Sequence, residues 1–221
     1  MSLVLAFDCA VTGLAVAVVH DGAPLASHSA EGRDQAAMLL PAIAATLEQA
    51  GISRNDLSLI AVTVGPGSFT GVRVGLAAAR GLAVALGVPL AGITTTAALL
   101  AQAGASDRLA VAAIDSHLGD WFCALGEGDK APFLASTEAL AKRIDGRLCR
   151  VVGPQADVLA PALANAAAQV ALPDAGTVAR LALQDGVERW RERNQAEGLP
   201  RPLYLRGVNI TLPDGARRTV E

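Results

Sequence analysis

The sequence predicts an α/β protein built from two related halves, each a mixed sheet flanked by helices. Two observations carry this expectation. Short β-prone runs alternate with helical periodicity along most of the 221 residues. A strand–Asp–turn–strand pattern also occurs twice. Leu5-Ala6-Phe7-Asp8 leads into Leu14-Ala15-Val16, and Ala112-Ala113-Ile114-Asp115 leads into Trp121-Phe122-Cys123. The repeat divides the chain into residues 1–104, a smaller half at 105–206, and a tail at 207–221.

The first half opens as a β-meander, with apolar runs at 3–7, 14–19 and 25–30, the second closed by Asp21-Gly22. Residues 34–50 follow as an amphipathic helix: Ala36, Leu39, Leu40, Ile43 and Leu47 recur at helical spacing, and Gly51 ends the run. A buried strand is expected at 57–64, a glycine-rich turn at 65–71 and a helix at 72–86, stopped by Gly87 and Pro89. A short strand at 90–93 and a helix at 95–103 complete this half. The second half is less regular. Strands are expected at 109–114, 121–125 and 149–152, and helices at 136–143 and 176–193. From Leu199 onward the chain is rich in Pro and Arg and is expected to lie over the surface. Two hairpin-led halves of this kind resemble the duplicated actin-like (ASKHA) architecture of actin, hexokinase and Hsp70.

Composition narrows the function. Hydrophobic residues make up 52% of the chain, charged residues 18% and aromatics 3%, with a net charge of −3. That excludes a disordered chain. It argues against a base-stacking surface and against a phosphate-binding basic face. Three widely spaced cysteines, Cys9, Cys123 and Cys149, suit a reducing cytosol better than a disulfide framework. No basic region precedes the first apolar run, and Asp8 interrupts it, so a signal peptide is not expected. The uncharged stretch 81–106 is broken by Gly87, Pro89, Gly92 and Thr94 to Thr96, so it reads as helix, strand, helix, and no membrane span is expected.

The sharpest local feature is Gly65-Pro66-Gly67-Ser68-Phe69-Thr70-Gly71-Val72-Arg73, between a buried strand and a helix. Two readings stay open. Free amides at the helix start and Arg73 would suit a phosphate or carboxylate. Alternatively, the glycines serve a tight, closely packed turn, with Ser68 or Thr70 as the N-cap. Neither a Walker A loop nor a dinucleotide fingerprint is present. Asp8 and Asp115 could face one cleft as metal ligands or bases, or simply bond their own turns. There is no Gly-x-Ser-x-Gly elbow and no paired His spacing that would hold a metal. The helix after the loop carries Gly71, Gly75 and Ala79 at four-residue spacing, with Ala78 alongside, which lets a second helix approach closely.

These residues resemble the TsaB (YeaZ) family. The resemblance rests on Ile60 to Val64 leading into Gly65 to Arg73, and on Leu39-Leu40-Pro41. It extends to Gly81-Leu82-Ala83, Gly87-Val88-Pro89-Leu90, Thr94-Thr95 and Pro202-Leu203-Tyr204-Leu205-Arg206. It implies the duplicated actin-like fold and a cytoplasmic, non-catalytic subunit needed to form threonylcarbamoyladenosine at position 37 of tRNAs. It also implies pairing with a catalytic TsaD-like subunit, a TsaE-like ATPase joining them, and homodimers when the chain is isolated. tRNA would be met only through the complex, and no catalytic or metal-binding residue is expected here. No cofactor is required by this chain, with ATP or ADP a candidate ligand of the assembled complex. Pairing would use the two helices of the first half, with Leu39, Leu40, Ile43, Val72, Gly75, Leu76, Ala78 and Ala79 as interface candidates. Two positions depart from the family pattern: Gln35 stands where many relatives have His, and Asp115-Ser116-His117 where they often have Asp-Ala-Arg. An ATP-dependent phosphotransferase using Asp8, Asp115 and the glycine loop is the alternative. A peptidase lacks its nucleophile.

Overall fold

Strand β1 (Leu3–Asp8) is an unbroken apolar run because both faces of its sheet are covered. It lies at the centre of the order β3-β2-β1-β4-β5, completed by β2 (Leu14–His20), β3 (Ala23–Ala30), β4 (Leu59–Thr63) and β5 (Leu90–Ile93). The hairpin strands pair antiparallel and β4 and β5 add in parallel. The computed structural model describes residues 2–32 and 34–206, with the backbone of strands Val208–Thr211 and Arg217–Val220.

The second sheet repeats this plan. Its strands are β6 (Leu109–Asp115), β7 (Trp121–Leu125), β8 (Phe133–Ala135), β9 (Cys149–Gly153) and β10 (Ala166–Val170), in the order β10-β9-β6-β7-β8. Read from β8, each strand has the neighbours and direction of its counterpart in the first sheet. Asp8 and Asp115 are the last residues of the two equivalent central strands.

Helices α1 (Gln35–Ala50) and α2 (Phe69–Leu86) lie side by side on one face of the first sheet. There Leu39, Ile43, Val72, Leu76 and Ala79 meet Leu5, Phe7, Val16, Ile60 and Val62. The alternate residues of these strands, Val4, Ala6, Val19 and Ala61, face α6 (Ala175–Asp185) and α7 (Val187–Glu197) through Val178, Ala179, Ala182 and Trp190. The halves therefore interlock. Helix α3 (Thr95–Gln102), which follows the first sheet, packs on the second through Leu99 against Ala112, Ile114 and Val152. Helix α4 (Thr137–Ile144) and the short α5 (Ala156–Leu159) cover the far side of the second sheet.

Several expectations are corrected. The helix expected at 176–193 is two helices, because Gly186 takes a φ of +82° between them. Helix α2 starts at Phe69, three residues early, because Ser68 caps it through Gly71 N–H. Strands β8 and β10 were not expected. The stretch from Leu199 is more than a surface run, since Leu199 and Leu203 pack against the first core. Arg80 donates to the carbonyls of Leu199 and Pro200, and Leu203 N–H donates to Val64 O at 2.8 Å. In the tail, β11 (Val208–Thr211) pairs antiparallel with β12 (Arg217–Val220), and the other tail residues lie outside the described ones.

Candidate functional site

The glycine-rich loop sits directly on the turn of the first hairpin. Ser68 N–H donates to Ala10 O at 2.6 Å. A Cβ on Gly67 would lie 2.0 Å from that same oxygen, and one on Gly71 would lie 1.9 Å from Cys9 O. These glycines are needed because backbone meets backbone there. Gly65, with a φ of +98°, turns the chain beside Leu203, and Pro66 is buried behind it. Thr70 is exposed and Ser68 is the cap. The packing reading thus accounts for Gly67 and Gly71. The amides of Ser68 and Gly71, which an anion cradle would use, are engaged by Ala10 O and Ser68 Oγ. Arg73 extends over the Phe69 ring, its guanidinium carbon 3.1 Å from the centroid, with Tyr204 5.1 Å away.

The hairpin turn is held from two other sides. Gln35, at the start of α1, donates its amide to Gly13 O at 2.9 Å and also reaches Val11 O and Cys9 O. Asp8 accepts from Thr63 Oγ1 at 2.5 Å and from Ala10 N–H at 3.2 Å. Burial raises the Asp8 carboxyl to about 6, against the lowering effect of the Thr63 and Ala10 hydrogen bonds. Asp8 lines a cavity of about 430 Å³ with Thr12, Ser29, Glu31 and Asp174, and Asp115 lies outside it. Asp115 instead accepts from His117 N–H at 2.7 Å within its own turn. The structure does not bring the two carboxylates together at this cavity, and each serves the turn that follows it.

The interface candidates divide by face. Leu39, Ile43, Val72, Gly75, Leu76 and Ala79 are buried in the chain's own core, which corrects their assignment to a partner surface. Gly75 packs against Val62 and Cys9. Ala78 is half-buried, and Leu40 is 58% exposed. The outward stripe of α1 is Ala37, Leu40, Pro41 and Ala44. That of α2 is Arg73, Ala77, Gly81 and Val84, the last 73% exposed. The sequence pattern marked both helices but not this face, because alanine and glycine occupy both sides of α2. By length and composition α2 is apolar enough to cross a membrane, with only a third of it buried. Its inner face packs in the core, so the surplus apolarity lies on the outward side.

Other chemistry is sparse. Burial and the neighbouring Asp8 push the Cys9 thiol up to about 12, and burial pushes Cys123 to about 12 as well. Neither is poised as a thiolate. Among the described residues, no three His, Cys, Asp or Glu side chains cluster as metal ligands. A wider cavity of about 960 Å³ near Arg108, Lys130 and Arg147 lies at the far end of the second sheet, where Arg147 pairs with Glu127.

Residues 29–171 match the sequence model of TsaD, tRNA N6-adenosine threonylcarbamoyltransferase. The chain is 31% identical over 191 residues to the tRNA threonylcarbamoyladenosine biosynthesis protein TsaB of Escherichia coli, covering 83% of this chain and 79% of that protein. The protein of the same name from Bacillus subtilis is 28% identical over 123 residues, 55% of this chain and 54% of its own length. Among solved structures, YeaZ from Pseudomonas aeruginosa superposes with a TM-score of 0.72 at 26% identity, covering 93% of this chain and all of that one. A second Pseudomonas aeruginosa structure, described as an uncharacterized protein with similarity to peptidase YEAZ, gives 0.76 at 28% identity over the same shares. The activator of 2-hydroxyisocaproyl-CoA dehydratase from Clostridium difficile, with bound ADPNP, shares the fold at a TM-score of 0.52 and 10% identity, covering 88% and 97%. The fold is the duplicated actin-like one.

Proposed function

Because the chain belongs to the TsaB (YeaZ) family, we propose that it acts in the biosynthesis of tRNA threonylcarbamoyladenosine as a non-catalytic subunit that pairs with a TsaD-like catalytic subunit. The observation that carries this reading is the uncharged outward stripe of α1, continued on α2 beside Arg73. A chain that leaves Leu40 and Val84 more than half exposed on two adjacent helices presents a surface suited to a partner helix pair. Small residues beside them, Ala37, Ala44, Ala77 and Gly81, let that partner come close.

The roles of the two strand-end carboxylates and of the glycine loop support the same reading. Asp8 and Asp115 hold turns, and the glycine loop seats α2 on the first hairpin. The loop is then a positioning device for the partner face. A TsaE-like ATPase and any ATP or ADP would join at the level of the complex, tRNA would be reached through the partner, and the same face would support a homodimer in isolation.

The test is mixing with a TsaD-like subunit, read by size-exclusion chromatography, and reconstitution of tRNA modification with the threonylcarbamoyl-adenylate supply. Leu40→Asp and Val84→Asp should each weaken pairing about tenfold or more. Both positions are exposed, so the fold is retained. Full modification by the partners without this chain would refute the reading.

A further inference from the structure

We propose that the aromatic pocket at the start of α2 is a docking site for an apolar side chain of a protein partner, presented beside a carboxylate. This rests on the partner reading above and names the anchor that the partner would supply.

The pocket has a volume of about 280 Å³ and lies between Pro66, Phe69 and Val72 on one side and Leu118 and Phe122 of the second hairpin on the other, with Tyr204 at its edge. Phe69, Phe122 and Tyr204 are three of only seven aromatic residues in the chain (four Phe, two Trp, one Tyr). Phe69 is 53% exposed, Tyr204 43% and Leu118 68%, so the rim is apolar and open. The volume falls just below the usual range for small-molecule sites. It suits one inserted aliphatic or aromatic side chain, as at the anchor points of protein interfaces.

The walls are fixed before anything binds. Phe69 is the first residue of a helix capped by Ser68. The segment carrying Tyr204 is tied at both ends, by Leu203 N–H to Val64 O and by the ion pair of Arg206 with Asp120. Leu118 lies within the turn that Ser116 closes by bonding Asp120, and its own N–H donates to Ser116 Oγ at 3.2 Å. A preorganised apolar pocket loses little entropy on docking.

Charge selects the occupant. Arg73 is exposed and lies over Phe69, held by the ring and by one hydrogen bond to Phe69 O at 3.3 Å. Arg73 stands beside the pocket, against its Phe69 and Tyr204 walls, and among the described residues no carboxylate pairs with it, whereas Arg206, which lines the pocket, is taken by Asp120. A stacked guanidinium keeps its in-plane donors free for a carboxylate in a two-point contact. The matching partner segment therefore places an Asp or Glu next to its apolar anchor.

Two arms test this on the full chain. In the first, acetyl-Asp-Leu-amide and acetyl-Lys-Leu-amide are titrated into methyl-labelled protein and followed by NMR. Saturable shifts at Leu118 and Val72 are expected with the first peptide, roughly fivefold weaker binding with the second, and loss of the preference in Arg73→Gln. In the second, Leu118→Asp and Arg73→Gln are each expected to lower affinity for the TsaD-like subunit about fivefold or more. If Leu40→Asp weakens pairing and the two pocket variants do not, the pocket proposal is overturned and the partner reading stands. If no TsaD-like subunit binds but the acidic peptide saturates the pocket, the docking site stands and the partner reading falls. No saturable shift with either peptide overturns the docking site. Self-association abolished by Leu118→Asp, with partner affinity unchanged, would assign the pocket to a second copy and overturn it as well.

Discussion

Thr63 donates its hydroxyl to the buried Asp8 carboxylate at 2.5 Å, joining the ends of two neighbouring parallel strands beneath the first hairpin turn. The folded carboxyl sits at about 6, above its ordinary value of 3.8, because burial outweighs that hydrogen bond. Between these two values the folded state keeps a proton that the unfolded chain gives up. Stability should therefore be fully present below pH 4 and fall as pH rises through 6, by about 3 kcal/mol at most. Asp8→Asn should flatten this slope. Urea unfolding at pH 4.5 and 7.5 checks it, and parallel slopes in both proteins would refute it.

Gly67→Ala and Gly71→Ala should each destabilise the fold by roughly 2–4 kcal/mol, because the added methyl meets the carbonyls of Ala10 and Cys9 at 2.0 and 1.9 Å. Gly81→Ala is the contrasting case. It lies on the outward side of α2 with nothing within 4 Å, and should gain about 0.5–1 kcal/mol from helix propensity. Denaturant midpoints of the three variants decide the matter.

Gly75 separates the inner face from the outer one. Its added Cβ would meet Val62 at 3.4 Å and Cys9 at 3.6 Å, so Gly75→Ala should fit with small cost. Gly75→Leu should lower the melting temperature by several degrees through overpacking. Loss of pairing in Gly75→Leu with an unchanged melting temperature would show that this residue faces outward.

Arg80→Ala should free the segment 199–206 at one end. Its guanidinium makes three hydrogen bonds to the Leu199 and Pro200 carbonyls, the shortest 2.6 Å. The expected loss is about 1–3 kcal/mol, with faster chymotryptic cleavage after the exposed Tyr204. Limited proteolysis followed by mass spectrometry reads this directly.

The elements with strong periodicity or clear punctuation were legible in the sequence. Strand β5 and strand β7 lie where the apolar runs between Pro89 and Thr94 and after Gly119 put them, and Gly51 and Gly87 close α1 and α2 in the left-handed conformation. Strand β10 was hidden, because Ala166-Ala167-Ala168-Gln169-Val170 has a single β-branched residue, Val170, and no apolar–polar alternation. The orientation of α2 was hidden for a related reason. With Gly71, Gly75, Ala78 and Ala79 beside Ala77 and Gly81, side-chain size does not tell the inner face from the outer one. The pocket of Phe69, Phe122 and Tyr204 joins three segments far apart in sequence, so no local pattern could announce it.

The packing of α6 and α7 on the first sheet has a consequence for synthesis. Val4, Ala6, Ala17, Val19 and Ala61 are covered by Val178, Ala179, Ala182 and Trp190, more than a hundred residues later. As the chain emerges from the ribosome, one face of its first sheet waits largely uncovered, with only Ala97 and Ala98 of α3 made early, until most of the polypeptide has been made. The early half is then a nascent intermediate with an apolar side, of the kind chaperones attend. Folding closes only when the late helices arrive, which makes the molecule a single cooperative unit despite its duplicated plan.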